Sequence, residues 1–318
     1  MVIPCYNEEE ILPIISVKLK AKLSLLIEQG LIHEASKVYF IDDGSIDDTW
    51  LTISSLVEEG GPFVGVRLTR NFGHQYALYA GLMQADGDAL ISLDADLQDD
   101  IDVIEEMIQL YLEGNEIVYG VRENRESDSL FKKWTAISHY RISALLGVNT
   151  VQDHADYRLL SRRAVKMLGQ YRETNIYLRG VIPLLGLKSS KVYYTRHARV
   201  AGESKYNLKS MFSLSVKGVT SFSIMPLRII TLLGFLVFII SLIMGGWALT
   251  AAIGGDTAIA GWASTVIPIY LFGGIQLLAL GVAGEYIGKT YIEVKNRPLY
   301  LIDEICRNDI QVEQKSDN

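Results

Sequence analysis

Five short apolar runs in the first 122 residues each end in a polar cluster, and that repetition restricts the fold more than any other feature of the chain. Met1 to Pro4, Lys37 to Ile41, Phe63 to Leu68, Ala89 to Leu93 and Glu116 to Val121 are β-branched or aliphatic and of strand length. Amphipathic stretches such as Glu9 to Gln29 and Asp102 to Glu113 separate them. Strand alternating with helix predicts an α/β domain, a mostly parallel sheet covered by helices. In such sheets ligands gather outside the carboxyl ends of the strands. The polar clusters fall at those ends: Cys5-Tyr6-Asn7-Glu8, Asp42-Asp43-Gly44-Ser45, Arg70-Asn71-Phe72-Gly73-His74, Asp94 to Gln98, and Arg122.

The fourth cluster is the most specific. Ala89-Leu90-Ile91-Ser92-Leu93 runs straight into Asp94-Ala95-Asp96-Leu97-Gln98-Asp99. Two carboxylates spaced i, i+2 at a strand exit can bend into one loop and offer hard oxygens to Mg²⁺ or Mn²⁺, ions commonly shared with substrate phosphates. An isolated D-x-D also reads as an acidic turn that ends a strand. Asp42-Asp43-Gly44-Ser45 likewise reads as an ordinary β-turn.

Hydrophobic residues make up 49% of the chain and mean hydropathy is +0.19, and the surplus is local. Ile229 to Ile253 contains no charged residue and is long enough to cross a hydrocarbon core of about 30 Å. A second run extends from Val266 to Ile287 and contains Pro268 and Glu285. Arg228 precedes the first run, Lys289, Lys295 and Arg297 follow the second, and the loop between has no Lys or Arg. The positive-inside bias then places both ends and the α/β domain in the cytosol, on a multi-pass protein of the inner (cytoplasmic) membrane. No cleavable leader is visible, so insertion falls to these late runs. The expected division is a cytosolic domain at 1–206, a juxtamembrane amphipathic helix at 207–227, a transmembrane hairpin at 228–288 with spans near 229–253 and 266–287, and a cytosolic tail at 289–318. Asn207 to Ile224 reads equally as a core helix. A net charge of -7 with pI near 5.4 argues against a nucleic-acid partner. Cys5 and Cys306, at opposite ends of the chain, suit a reduced compartment and no reactive role.

Together Val2-Ile3-Pro4-Cys5-Tyr6-Asn7-Glu8-Glu9, Ile41 to Ser45, Asp94 to Asp99, Asp153-His154-Ala155-Asp156-Tyr157-Arg158-Leu159 and Arg199-Val200-Ala201-Gly202-Glu203-Ser204-Lys205-Tyr206 carry a family resemblance. They resemble the inverting family 2 glycosyltransferases of the GT-A (Rossmann-like) fold, and within them the polyprenyl-phosphate glycosyltransferases. The catalytic part is similar to dolichol-phosphate mannose synthase. The Ala155-to-Leu159 segment and the two C-terminal runs are similar to bactoprenol (undecaprenyl-phosphate) glucosyltransferases. The likeness covers nearly the whole chain to about Pro298.

Tyr6 offers a flat face to a nucleobase, and Glu8 and Asp43 offer acceptors to ribose hydroxyls and the base imide, with Asp42 the weaker candidate. The resemblance adds Pro4, Asn7 and Ala95 to the nucleotide-sugar site and makes Asp94 and Asp96 the metal ligands, Asp96 the more direct. Gln98 can hydrogen-bond the sugar or support the loop. The resemblance also sets Asp156 beside the reacting centre as the catalytic carboxylate, with Asp153 the alternative. A phosphate acceptor is already ionised at pH 7, its second pKa lying near 6, so Asp156 can serve by positioning. Arg199, Ser204 and Lys205 stand where lipid or diphosphate oxygens would be met. The Arg162-Arg163 pair reads as a solvated helix start. The implied reaction is transfer of a hexose, glucose from UDP-glucose first among the donors, to undecaprenyl phosphate. GDP-mannose, UDP-N-acetylglucosamine and a modified arabinose donor stay open, as does a non-catalytic UDP-sugar-binding scaffold. A homo-oligomer, with a tetramer in view, is the expected assembly.

Overall fold

The structure, a computed structural model, describes residues 1–122, 154–174, 176–195 and 262–308, together with 227, 230–237, 239, 240 and 243. The chain divides into two compact units, residues 1–137, 150–207 and 297–318 forming one, and 138–149 with 208–296 the other.

The first unit is built on an eight-stranded sheet in the order β7-β5-β6-β4-β1-β2-β3-β8. Its strands are β1 (Val2–Cys5), β2 (Val38–Asp42), β3 (Phe63–Leu68), β4 (Ala89–Ser92), β5 (Ile117–Arg122), β6 (His154–Ser161), β7 (Ser189–Tyr194) and β8 (Ile302–Arg307). The first five match the apolar runs to within a residue or so. Between them lie α1 (Leu12–Glu28), α2 (Thr49–Glu58), α3 (His74–Gln84) and α4 (Ile104–Leu112), the last entered through a short 3₁₀ turn at Ile101–Val103. After β6 come α5 (Arg162–Leu168) and α6 (Leu178–Leu184).

Parallel pairing joins β1 to β2 and β4, β2 to β3, and β5 to β7. Only β6 and β8 run the other way. The carboxyl ends of β1 to β5 therefore share one edge, as the alternation predicts. The sheet is the mostly parallel α/β core expected of a GT-A domain.

Burial explains why β1 and β2 read as unbroken apolar runs: every residue of both is buried. Helices cover both faces, so neither side of a central strand can be polar. On one face Ile3, Cys5, Val38 and Phe40 join Leu12, Ile15, Leu19, Leu23 and Leu26 of α1 in the main core. Those α1 positions recur at three and four residues, a stripe that faces the sheet. Each such side chain, fully buried, contributes about 1.5–3 kcal/mol. On the other face α3 lies so close that a Cβ at Gly81 would come 2.4 Å from Val2 Cγ1 and 2.7 Å from Ile41 Cγ1.

The sheet also holds a strand that sequence reading did not anticipate. Ile302–Arg307 pairs antiparallel with β3, caps that edge, and sends the Leu301 carbonyl to the Thr69 N–H at 3.0 Å. Its residues alternate poorly and are mostly exposed, which is how a polar edge strand reads as tail.

In the second unit the expected run 266–287 lies within a single helix, α7 (Trp262–Val294), with Pro268 inside it. Ile269, Leu277, Leu280 and Ile287 are exposed there, as are Leu232, Phe235 and Ile243 in the preceding described segment. Among the described residues no helix is long and apolar enough to cross a membrane, so the expected transmembrane hairpin is not found there. Most of 229–253, and the side chains of Val266, Ile267, Tyr270, Leu271 and Leu278, lie outside the described residues, as does 207–226.

Candidate functional site

The site is assembled at the shared edge from the loops that leave β1 to β4. β1 ends in Asn7, which adopts a left-handed φ of 54°. Its Oδ1 accepts from the Ile46 N–H and its own N–H donates to Ser45 Oγ, both at 3.0 Å, while the Glu8 N–H donates to Thr49 Oγ1 at 2.8 Å. The loop carrying Tyr6, Asn7 and Glu8 is thus stitched to the β2–α2 loop. Pro4 is buried within β1 and Tyr6 is half-buried beyond its end.

β2 ends in Asp42, whose Oδ1 accepts from the Ser45 N–H at 3.1 Å, so the acidic cluster is indeed a turn. Gly44 sits in it at φ 64°, and a Cβ there would meet the Arg70 carbonyl carbon at 2.4 Å. Only glycine allows that conformation with the β3–α3 loop so near. Asp43 then accepts from the Phe72 and Gly73 N–H groups at 2.8 Å each. Burial nonetheless pushes its carboxyl up. The residue expected to read a nucleotide thus also anchors the loop that delivers α3.

His74 opens α3, and it was missed as a site residue although it stood in the polar cluster after β3. Its Nε2 lies 3.5 Å from Asp94 Oδ1 and 3.5 Å from Asp156 Oδ2. Burial alone would lower its pKa, but the Asp156 and Asp94 carboxylates win and raise it.

Asp94 and Asp96 occupy the turn after β4. Ala95 and Leu97 are buried in the main core on either side of Asp96, which itself is half-buried. Leu97 takes a φ of 54°, costly for a branched side chain, and the Gln98 N–H donates to Asp96 Oδ1 at 3.2 Å. Two buried side chains thus pin the turn and leave its carboxylates at the edge. Asp94 Oδ1 is closed off from solvent and has no hydrogen bond among the described residues. That burial, aided by Asp99, Asp156 and Asp96, pushes the Asp94 carboxyl up to about 6 against the pull of His74. A buried oxygen that makes no hydrogen bond among the described residues, with Asp96, Asp99 and Asp156 near and His74 Nε2 at 3.5 Å, fits a hard divalent cation that draws its remaining ligands from phosphate and water. Among the described residues no group of three or more acidic, His or Cys side chains is arranged as a complete metal cage.

The turn is fastened from below. Tyr194 at the end of β7 donates to Asp99 Oδ1 at 2.5 Å, Arg122 Nη2 reaches the same oxygen at 3.3 Å, and Tyr157 donates to the Asp100 carbonyl at 2.9 Å. Burial and the Asp99 charge push the Tyr194 phenol up.

β6 supplies Asp156. Ser92 of β4 pairs with Arg158, so antiparallel register continued by two residues sets Asp156 beside Asp94, and Ser92 Oγ donates to the Asp156 carbonyl at 2.5 Å. Asp156 and Arg158, two apart on a strand, share the α3 face, while Tyr157 points into the main core. Asp156 is buried and accepts at Oδ1 from Arg158 and from Arg179 Nε at 3.2 Å, and at Oδ2 from Arg179 Nη2 at 2.9 Å and Gln75 at 3.3 Å. Burial alone would raise its pKa, but His74, Arg158 and Arg179 hold the carboxyl well below the usual range. Arg179, from α6, gave no signal in the sequence, and Arg158 showed only as part of a motif. Asp153, Arg199, Ser204 and Lys205 lie outside the described residues.

A family model described as glycosyl transferase family 2 matches residues 1–169. The uncharacterized glycosyltransferase YkoT of Bacillus subtilis (strain 168) is 47% identical over 305 residues, covering 95% of this chain and 90% of its own. A prophage bactoprenol glucosyl transferase homolog of Escherichia coli (strain K12) is 37% identical over 306 residues, 96% of this chain and 98% of its own. An SfII prophage-derived bactoprenol glucosyl transferase of Shigella flexneri is 36% identical over 310 residues, 97% and 98% of the two chains.

Proposed function

The chain belongs to glycosyl transferase family 2, and on that premise we propose that it moves glucose from UDP-glucose to a polyprenyl phosphate such as undecaprenyl phosphate at the cytoplasmic face of the inner membrane. The observation that carries the reading is the meeting of Asp94 and Asp156 on the two sides of His74, each 3.5 Å from its Nε2, at the ligand-binding edge of the sheet. Relatives that cover nearly the full chain and are named bactoprenol glucosyl transferases support the donor and acceptor classes.

In this reading an oxygen of the lipid phosphate dianion attacks C1 of glucose on the face opposite the leaving group. The C1–O bond to the β-phosphate breaks, its electron pair stays on UDP, and the products are polyprenyl-phosphate-glucose and UDP. No proton need leave the acceptor, because a phosphate monoester is largely doubly ionised at pH 7. Asp94 and Asp96 would hold Mg²⁺ or Mn²⁺, and the ion would supply positive charge to offset the negative charge developing on the leaving diphosphate. Tyr6, Asn7, Glu8 and Asp43 receive the nucleoside, Gln98 faces the sugar, and Arg199, Ser204 and Lys205 supply further phosphate donors. The exposed apolar side chains Ile269, Leu277, Leu280 and Ile287 of α7 support a membrane anchor and self-association.

The test is transfer of label from a panel of nucleotide sugars to undecaprenyl phosphate by the purified full chain in detergent, with Mg²⁺ or Mn²⁺ and with EDTA. Organic-phase label from UDP-glucose alone, abolished by EDTA, is the expected result. Label from a different donor corrects the sugar; none from any donor, with UDP still bound, removes the transferase reading in favour of a scaffold.

A further inference from the structure

Asp156 is short of free lone pairs. Arg158 and Arg179 Nε share its Oδ1, and Arg179 Nη2 and Gln75 share its Oδ2, with His74 Nε2 3.5 Å from the latter. The carboxylate is buried, so an incoming acceptor would have to displace one of these partners to reach it. Two guanidinium groups converge on this single carboxylate, which leaves a surplus of positive charge. Arg158 cannot spend it on a ligand, being 1% exposed, and its Nε and Nη1 are buried without a hydrogen-bond partner among the described residues. Arg179 can: its side chain is 40% exposed, and among the described residues its bonds are made by Nε and Nη2 on one edge of the guanidinium.

We propose that Arg179 is the residue that meets the phosphate of the acceptor, and that Asp156 is a positioning residue that orients Arg179 rather than a proton acceptor. The inference rests on the transferase reading above and deepens it. A guanidinium braced on one edge by a carboxylate presents its other edge in a set direction, which suits a phosphate monoester and saves the entropy of ordering a free arginine. Its place also suits the reaction. Arg179 touches Asp156, Asp156 lies 3.5 Å from His74, and His74 lies 3.5 Å from Asp94. An anion on the exposed side of Arg179 therefore stands near, but apart from, the carboxylates assigned to the metal and the leaving diphosphate. The buried Arg158 charge, poorly screened there, adds to the attraction.

The experiment compares wild type, Arg179→Lys, Arg179→Gln and Asp156→Asn in two assays on the full chain in detergent. The first is binding of a short-chain polyprenyl phosphate, and of the matching alcohol, without donor. Arg179→Gln is expected to weaken phosphate binding by about 10- to 100-fold, as loss of charge-assisted hydrogen bonds does, and to leave the alcohol unaffected. The second is steady-state transfer from UDP-glucose. Arg179→Lys and Asp156→Asn should both raise KM for the acceptor and leave KM for the donor unchanged, with kcat at saturating acceptor within about tenfold of wild type. Their effects should not add in the double variant, because one acts through the other. A kcat loss of about 10²-fold or more in Asp156→Asn at unchanged acceptor KM would restore it as a base and overturn the inference. A rise in donor KM instead would move Arg179 to the leaving diphosphate, and also overturn it. If wild type transfers nothing, the reaction assigned above fails, while the phosphate-against-alcohol difference in Arg179→Gln still decides this site. Should Asp156→Asn not fold, the two Arg179 variants decide the phosphate contact, and Asp156→Glu, read by the same kcat-against-KM split, decides the role of the carboxylate.

Discussion

Replacing Tyr194 by Phe removes one oxygen and leaves the ring in place, so it tests the phenol that fastens the acidic turn, which donates to Asp99 and accepts from Arg122 Nε at 3.2 Å. Tyr194 donates to Asp99 Oδ1 at 2.5 Å, and Asp99 is 4% exposed with its Oδ2 already lacking a partner among the described residues. Without the phenol, Arg122 Nη2 at 3.3 Å is the remaining donor to that carboxylate among the described residues. A hydrogen bond to a charged group is worth about 1.5–3 kcal/mol, and a buried carboxylate left short of donors adds to the loss. The packing cost is small, because the edge-on contact of the Tyr194 ring with Tyr157, centroids 5.4 Å apart, survives. We expect Tyr194→Phe to lose about 2 kcal/mol and to lower the apparent Tm by about 4–8 °C, at roughly 2–4 °C per kcal/mol for a domain near 200 residues. Asp99→Asn should be similarly harmful and the double variant less than additive, because the two side chains share one bond. Thermal unfolding in detergent measures all three. A Tyr194→Phe shift under 1 °C, or full additivity with Asp99→Asn, would refute the claim that this pair holds the turn.

Gly44→Ala should cost about 2 kcal/mol or more and weaken UDP binding, since the φ of 64° is strained for alanine and its Cβ would strike the Arg70 backbone; calorimetry with UDP checks the binding. The Asp156 carboxyl is held below the usual range in the fold, so its ion pairs contribute stability above the unfolded pKa of about 3.9 that is lost as pH falls toward the folded value. Wild type should therefore lose Tm on acidification below about pH 4 more steeply than Asp156→Asn, in melts run across that window. Asp96→Asn should fold and bind uridine but lose metal-dependent transfer; wild-type turnover by this variant would remove Asp96 from the metal site.

Much of the frame was legible in the chain itself. Strand–helix alternation forecast β1 to β5, and polar clusters at their ends forecast which edge carries the chemistry, because side-chain polarity follows burial and burial here follows element order. Asp94 and Asp96 could be read because both belong to one short turn. His74, Arg158 and Arg179 could not be assigned that way, nor could the fastening of Asp99 by Tyr194. These contacts join β3's loop, the acidic turn, β6, α6 and β7, with Tyr194 and Asp99 95 residues apart, and no local spacing encodes them. Nor does the apparent tail 302–307 announce itself as a strand, because an exposed edge needs no apolar signature and gains its pairing only from β3. Composition and local pattern determined that an acid-lined edge exists. Tertiary structure alone decided which cations stand against which carboxylates, because register across β4 and β6 brings Asp156 to Asp94 and the packing of α6 brings Arg179 to Asp156.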